Sequence, residues 1–160
     1  MVKFTNSIII NKSLETVWKA YIDPQNMLCW TNNLEKVEVI KGKFGEVGAI
    51  AHLHYIEKGR LYILEDKLLD YEFEKKIKSQ VKGQGMNIEV QSNFKSQYND
   101  TEISITWDGT SEKFIVKIIL NLLQRKIKKQ AQAELSLFKK LVETYGINFP
   151  EKTTKKQNEE

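Results

Sequence analysis

FIVKIILNLLQRKIKKQAQAELSLFKKLVETY, residues Phe114 to Tyr145, is the stretch on which the fold turns. Apolar side chains recur in it at Leu123, Ile127, Ala131, Leu135, Phe138, Val142 and Tyr145. Successive steps of four or three residues keep one face of an α-helix apolar for about six turns. Such a face cannot stay in water, because each large apolar side chain left exposed forgoes roughly 1.5–3 kcal/mol. The one large partner available in so short a chain is a sheet built from the segments before the helix. A single long helix across a curved antiparallel sheet leaves room for a cavity, and that cavity is the functional lead.

Toward the N-terminus the hydrophobic period changes from 3.6 to two. In Glu102–Trp107, Ile103, Ile105 and Trp107 alternate with Glu102, Ser104 and Thr106, so the apolar set faces the helix. In Met86–Gln97, Ile88, Val90 and Phe94 face inward with Ser92 among them. Gly83-Gln84-Gly85 joins that strand to Glu74–Val81 as a hairpin. Ala49–Glu57 turns at Lys58-Gly59 into Arg60–Tyr71, with Leu53, Tyr55, Tyr62, Leu64, Asp66 and Leu68 directed inward. Leu34–Lys41 precedes a loop with glycines at 42, 45 and 48, which supply turn conformations closed to other residues. Lys3–Ile10 is the first strand. Ser13 caps a short helix, Leu14–Ile22, carrying Val17, Trp18 and Tyr21. Asp23-Pro24 starts a second, carrying Met27, Leu28 and Trp30. Ser111 is the expected cap of the long helix, and Gly146 its stop.

The order predicts an α+β fold. It has two short helices after the first strand, a curved antiparallel sheet of about six to seven strands, and a long C-terminal helix across it. At 160 residues the chain is expected to form one domain over residues 1–150. The charged tail 151–160 is expected to be disordered. No apolar run approaches the roughly 20 residues a spanning helix needs, and no N-terminal signal is visible, so a cytoplasmic location is expected. The lone Cys29 cannot form an internal disulfide. A net charge of +4, from 25 basic and 21 acidic residues, serves solubility and forms no aromatic-studded stripe, so no nucleic-acid partner is expected.

Several residues carry a family resemblance: Val17-Trp18, Asp23 followed by Trp30, Gly42 with Gly45-Glu46-Val47-Gly48, the hairpin Tyr55–Tyr62, and Leu68-Leu69-Asp70-Tyr71-Glu72. With the element order, they make Phe4–Tyr145 resemble the START-like superfamily, also called Bet v 1-like or SRPBCC, with its helix-grip fold. The chain is most similar to the polyketide cyclase/dehydrase and lipid-transport group. Family members often have a proline after the Asp-Tyr-Glu segment, whereas this chain has Phe73-Glu74-Lys75, which leaves the strand boundary there open. The resemblance implies a cavity between sheet and helix that holds a hydrophobic or amphipathic small molecule, such as a lipid or polyketide-like compound.

The residues expected to line it are Tyr21, Met27 and Trp30 from the short helices and Leu53, Tyr55, Tyr62, Leu64, Asp66, Val90, Ser92, Phe94, Ile105 and Trp107 from the strands. Leu123 and Ile127 close it from the long helix. A few polar groups in an apolar pocket are the usual composition of a small-molecule site, although the same apolar residues would also serve as plain core. Asp66 depends on register: a slip of one residue would bring Glu65 inward instead. His52 and His54 share a face of one strand, but that face is the outer one, and no metal site or cofactor is expected. No nucleophile elbow, phosphate loop or dinucleotide fingerprint occurs.

Binding or transport of such a molecule is therefore the leading expectation. A cyclase/dehydrase-type enzyme using Asp66, Tyr55 or Tyr62 is the second, and a protein-interaction module like the Hsp90-cochaperone relatives of this fold the third. Phe114–Lys129, apolar and then basic, is a candidate for transient contact with an anionic membrane. A solvated outer helix face is the simpler account of its cations.

Overall fold

The computed structural model describes residues 2–152. Its strands are β1 (Val2–Ile10), β2 (Leu34–Lys41), β3 (Ile50–Glu57), β4 (Arg60–Glu72), β5 (Lys76–Gly83), β6 (Met86–Gln97) and β7 (Asp100–Thr110). They form one antiparallel sheet in the order β1-β7-β6-β5-β4-β3-β2. The helices α1 (Leu14–Ile22) and α2 (Pro24–Trp30) follow β1, and α3 (Phe114–Tyr145) closes the fold. This is the α+β helix-grip arrangement of a curved seven-stranded sheet around one long helix. Every β-connection from β2 to β7 is a hairpin between neighbours. Only the β1–β2 connection crosses the sheet, and α1 and α2 carry it from one edge to the other.

Local chemistry explains the elements. Ser13 Oγ accepts the Thr16 N–H at 3.3 Å and Asp23 accepts the Gln25 N–H at 2.9 Å, so each short helix begins on a side-chain cap. Pro24 occupies the first turn of α2, where its missing N–H costs nothing. In the β2–β3 loop, Gly42, Gly45 and Gly48 take φ of 74°, 85° and 93°, a region that favours glycine. The inward faces follow from the register: Phe4 opposes Trp107 on β1–β7, Ser92 opposes Ile105 on β6–β7, and Ala51 opposes Asp66 on β3–β4.

Three details depart from the expected pattern. The inward face of α3 uses Val116 and Leu120 ahead of Ile127, whereas Leu123 is left 42% exposed. Seven residues return a helix to within about 20° of the same direction. Leu120, seven before Ile127, is buried accordingly, while Leu123, seven after Val116, shares the inward phase without being covered. Ser111 does not cap α3. Its hydroxyl donates to the Gly85 carbonyl at 2.6 Å and accepts the Lys113 N–H at 3.1 Å, tying the β5–β6 hairpin to the approach of α3. Finally, β5 begins at Lys76, because Glu74 turns with φ of 54°. Gly146 ends α3 as expected, with φ of 70° and its N–H on the Val142 carbonyl at 2.8 Å. Of the expected disordered tail, residues 153–160 lie outside the described residues.

The main core gathers at one end of the concave face. Leu135, Phe138 and Val142 of α3 pack there with Ile10, Val17, Trp18, Ala20, Trp30, Phe94, Ile103 and Ile105. A smaller cluster of Val2, Phe4 and Leu120 seats the start of α3 on β1. Between these anchors the helix bridges an open space.

Candidate functional site

A cavity of about 460 Å³ lies between the concave face, α2 and the middle of α3. Small side chains keep it open. Ala51 and Ser79 on the sheet, Ala49 just before β3 and Ala131 on the helix stand where larger residues would meet. Its apolar wall includes Val37, Leu53, Leu64, Leu68, Ile77, Val81, Val90, Ile105, Ile127 and Leu135. Trp107, Trp30 and Met27 add large polarisable surfaces.

Of the residues expected from the sequence, Tyr21, Met27, Trp30, Leu53, Tyr55, Tyr62, Leu64, Asp66, Val90, Ser92, Ile105, Trp107 and Ile127 stand on this wall. Two do not. Leu123 is left exposed at the edge of the inward arc and does not reach the cavity. Phe94 points inward but is consumed by the aromatic core, with its ring 4.9 Å from Trp18 and 5.1 Å from Tyr21 in edge contacts. Edge-to-face packing of this kind fills space that a ligand would otherwise use.

The polar groups form two sets. Tyr21 forms the partition between core and cavity. Its ring packs on Phe94, Phe138 and Trp30, and its hydroxyl meets Ser92 Oγ at 2.7 Å. Burial pushes its phenol up to about 12, Ser92 offsets part of that rise, and the Asp66 carboxylate adds to it. The second set is Asp66, Tyr55, Tyr62 and Glu134. Tyr55 and Tyr62 stack nearly parallel at 5.2 Å across the β3–β4 pair. Both phenols are raised, chiefly by burial and then by nearby negative charge, including Glu134 for each. Asp66 is raised by burial, with the Ser79 hydroxyl as a partial offset. Asp66 and Tyr21 are only half-buried by surface area because their open sides face the cavity, while protein encloses the rest. Glu134 is also raised by burial, although its Oε1 accepts the Asn32 N–H at 3.1 Å. Four acidic side chains, Asp23, Glu57, Asp66 and Glu134, touch the cavity; among its described lining residues Lys43 is the one basic side chain.

Glu134 and Asn6 are site residues that the strand-by-strand reading missed, and both carried a signal. Glu134 lies seven residues after Ile127, on the inward arc of α3. Asn6 continues the inward alternation Val2-Phe4-Asn6, and its Nδ2 donates to the Lys128 carbonyl at 3.1 Å, pinning β1 to α3. His52 and His54 sit on the outer face, where His54 Nε2 lies 3.0 Å from Glu38 and His52 is 3.9 Å from Glu65. Among the described residues, no three metal-ligating side chains converge, and no helix is long and apolar enough to cross a membrane.

The arrangement resembles several solved structures. The Zhui aromatase/cyclase from Streptomyces sp. R1128 superposes with a TM-score of 0.71 at 13% identity, covering 86% of this chain and 91% of that one. Ara h 8.0201 superposes at 0.70 with 11% identity, covering 89% and 97%. Norcoclaurine synthase from Thalictrum flavum, solved with dopamine and hydroxybenzaldehyde, superposes at 0.65 with 17% identity, covering 89% and 87%. At such identities the likeness speaks for the fold alone. No sequence relative is found among curated proteins. The family model described as polyketide cyclase / dehydrase and lipid transport matches residues 1–143, and the chain therefore belongs to that family.

Proposed function

We propose that the protein binds an uncharged hydrophobic or amphipathic small molecule in the cavity beneath α3. The observation that carries this reading is the cavity itself: about 460 Å³ of apolar-walled space with a few convergent polar groups. The polar set also constrains the ligand. Asp66 and Glu134 are buried carboxyls with raised affinity for protons. A ligand carboxylate placed beside them would meet like charge in a medium of low dielectric. Hydroxyl, phenol or carbonyl groups suit the site, since the tyrosines donate and the carboxyls either donate or accept according to protonation. Fatty alcohols or polyketide-like phenols fit this description better than free fatty acids.

The polar set favours a second reading, a cyclase/dehydrase-type enzyme. A protonated Asp66 or Glu134 beside the stacked Tyr55 and Tyr62 is a proton donor within the cavity. Loss of water from a bound hydroxy-ketone needs such a proton on the departing hydroxyl and a base for the adjacent C–H proton. The two carboxyls in opposite protonation states could fill these roles.

Native mass spectrometry of protein purified without detergent, followed by organic extraction, tests the binding reading. A retained uncharged hydrophobic molecule is the expected result. If the protein carries nothing, and a neutral fluorescent probe such as N-phenyl-1-naphthylamine fails to bind, the binding reading is wrong. Incubating a recovered molecule with fresh protein separates the two functions, because a dehydrase changes its mass by one water and Asp66→Asn slows that change.

A further inference from the structure

The first half of α3 is apolar on the side turned away from the protein. Ile115, Ile119 and Leu122 recur at steps of four and three along the outward stripe, and the next members are Lys126 and Lys129. Ile118 and Arg125 lie beside this stripe, also seven residues apart. Phe114, Ile115 and Leu122 are 75%, 71% and 78% exposed. A cluster this contiguous on an isolated surface marks an interaction site. The charges along this half of the helix have one sign. From Lys113 to Ala133 the chain carries six basic residues and no acidic one, Glu112 just before the cap being the nearest acid. The helix start has neither a side-chain cap nor an acidic residue in its first turn.

We propose that Phe114–Lys129 docks the protein on an anionic membrane surface. Ile115, Ile119 and Leu122, with Ile118 beside them, enter the headgroup–acyl boundary, and Arg125, Lys126 and Lys129 hold the lipid phosphates one to two turns further along. A second protein copy fits less well, because two such faces would bring like charges together. The helix continues directly into Ile127, Ala131 and Glu134, which roof the cavity. Docking therefore sets the cavity beside the bilayer, where a hydrophobic molecule could pass between them.

The test is flotation of the full chain with vesicles of phosphatidylcholine alone and with added phosphatidylserine. Binding to the anionic vesicles only is expected, weakening as salt is raised. Arg125→Glu/Lys126→Glu/Lys129→Glu should lower partitioning by about a hundredfold, about fivefold per cation before any gain of repulsion. Ile115→Asp/Leu122→Asp should abolish it while leaving the thermal midpoint near wild type, since both side chains are exposed. Equal binding to the two vesicle types would overturn the proposal. So would a dimer in light scattering that dissociates with Ile115→Asp/Leu122→Asp while wild type ignores both vesicles. Cavity and surface are separable, because Ala51→Phe blocks the cavity and should leave flotation intact.

Discussion

The two ends of the concave face are built from the same sheet and the same helix, yet one is packed shut and the other is open. At the closed end, Trp18, Tyr21, Phe94 and Phe138 interlock with ring centroids 4.9 to 5.5 Å apart, and Trp18, Phe138 and Val142 are at most 1% exposed. At the open end the helix offers Ala131, and the sheet offers Ala51 and Ser79 with Ala49 just ahead of β3. At these facing positions the difference is one of side-chain volume. Aromatic residues on both layers close the gap, whereas small residues on both layers leave it. A protein of this size thus divides one helix between close packing at its C-terminal half and an open cavity at its middle.

Matched truncations would break this comparison most directly. Phe138→Ala should cost about 3–5 kcal/mol in denaturant unfolding, because it opens a void in a close-packed cluster. Leu64→Ala at the cavity wall should cost no more than about 2 kcal/mol, near the lower limit for such truncations, since that side chain already borders empty space. Equal costs would mean that the open end is packed in solution. The converse substitution, Ala51→Phe, should lower affinity for a neutral probe more than about tenfold, or about 1.4 kcal/mol. Its thermal midpoint should stay close to wild type, because the ring enters existing space rather than forcing the core apart. A large fall in the midpoint with unchanged probe affinity would show that Ala51 does not face the cavity.

Ser92→Val sharpens the boundary between the two ends. Ser92 is 3% exposed and holds the Tyr21 hydroxyl. Removing it leaves a buried phenol unpaired, at a cost of about 1 kcal/mol. Because Tyr21 is the partition, probe affinity should change as well. A variant identical to wild type in both measurements would remove Tyr21 from that role.

Much of this was legible in the sequence, for identifiable reasons. Period-two alternation fixed the inward sets on β6 and β7, because each strand carried polar residues on the opposite face at every second position. The short helices announced themselves through Ser13 and Asp23-Pro24. What a pattern does not carry is actual burial and competition for space. Leu123 repeats the phase of Val116, yet the fold leaves it exposed. Phe94 faces inward as read, but only three-dimensional packing shows that Trp18 and Tyr21 absorb it. Ser111 has a capping side chain near a helix start, but α3 begins at Phe114, and the Ser111 oxygen accepts the N–H of Lys113 before the first turn instead. Glu134 is hard to find by pattern, because a charged residue in an apolar stripe reads as a surface position. Its place under the helix becomes visible only when the stripe is traced from Ile127.

The smallest expected effect concerns the acids at the open end, and its sign separates a strained site from a neutral one. Burial raises the Asp66 carboxyl above its unfolded value. Below the ordinary carboxyl range Asp66 is protonated in both states and contributes no pH dependence. As pH rises through that range, the unfolded chain releases its proton while the folded one retains it. The folded state therefore loses stability up to the raised value and stays at the lower level above it. Asp66→Asn removes this loss, keeping the shape and the capacity to accept from Ser79. The variant should match wild type in acid and exceed it at neutral pH, and the difference between the two curves isolates Asp66 from every other titrating group. Parallel curves, or a variant weaker at neutral pH, would mean that the carboxylate is stabilised where it stands. Glu134→Gln should show the same sign, because Glu134 is raised for the same reason. Its effect is blunted, since the Asn32 N–H already favours the ionised form. A stability penalty carried by both acids would mark the open end as the place where packing energy has been given up for chemistry or binding.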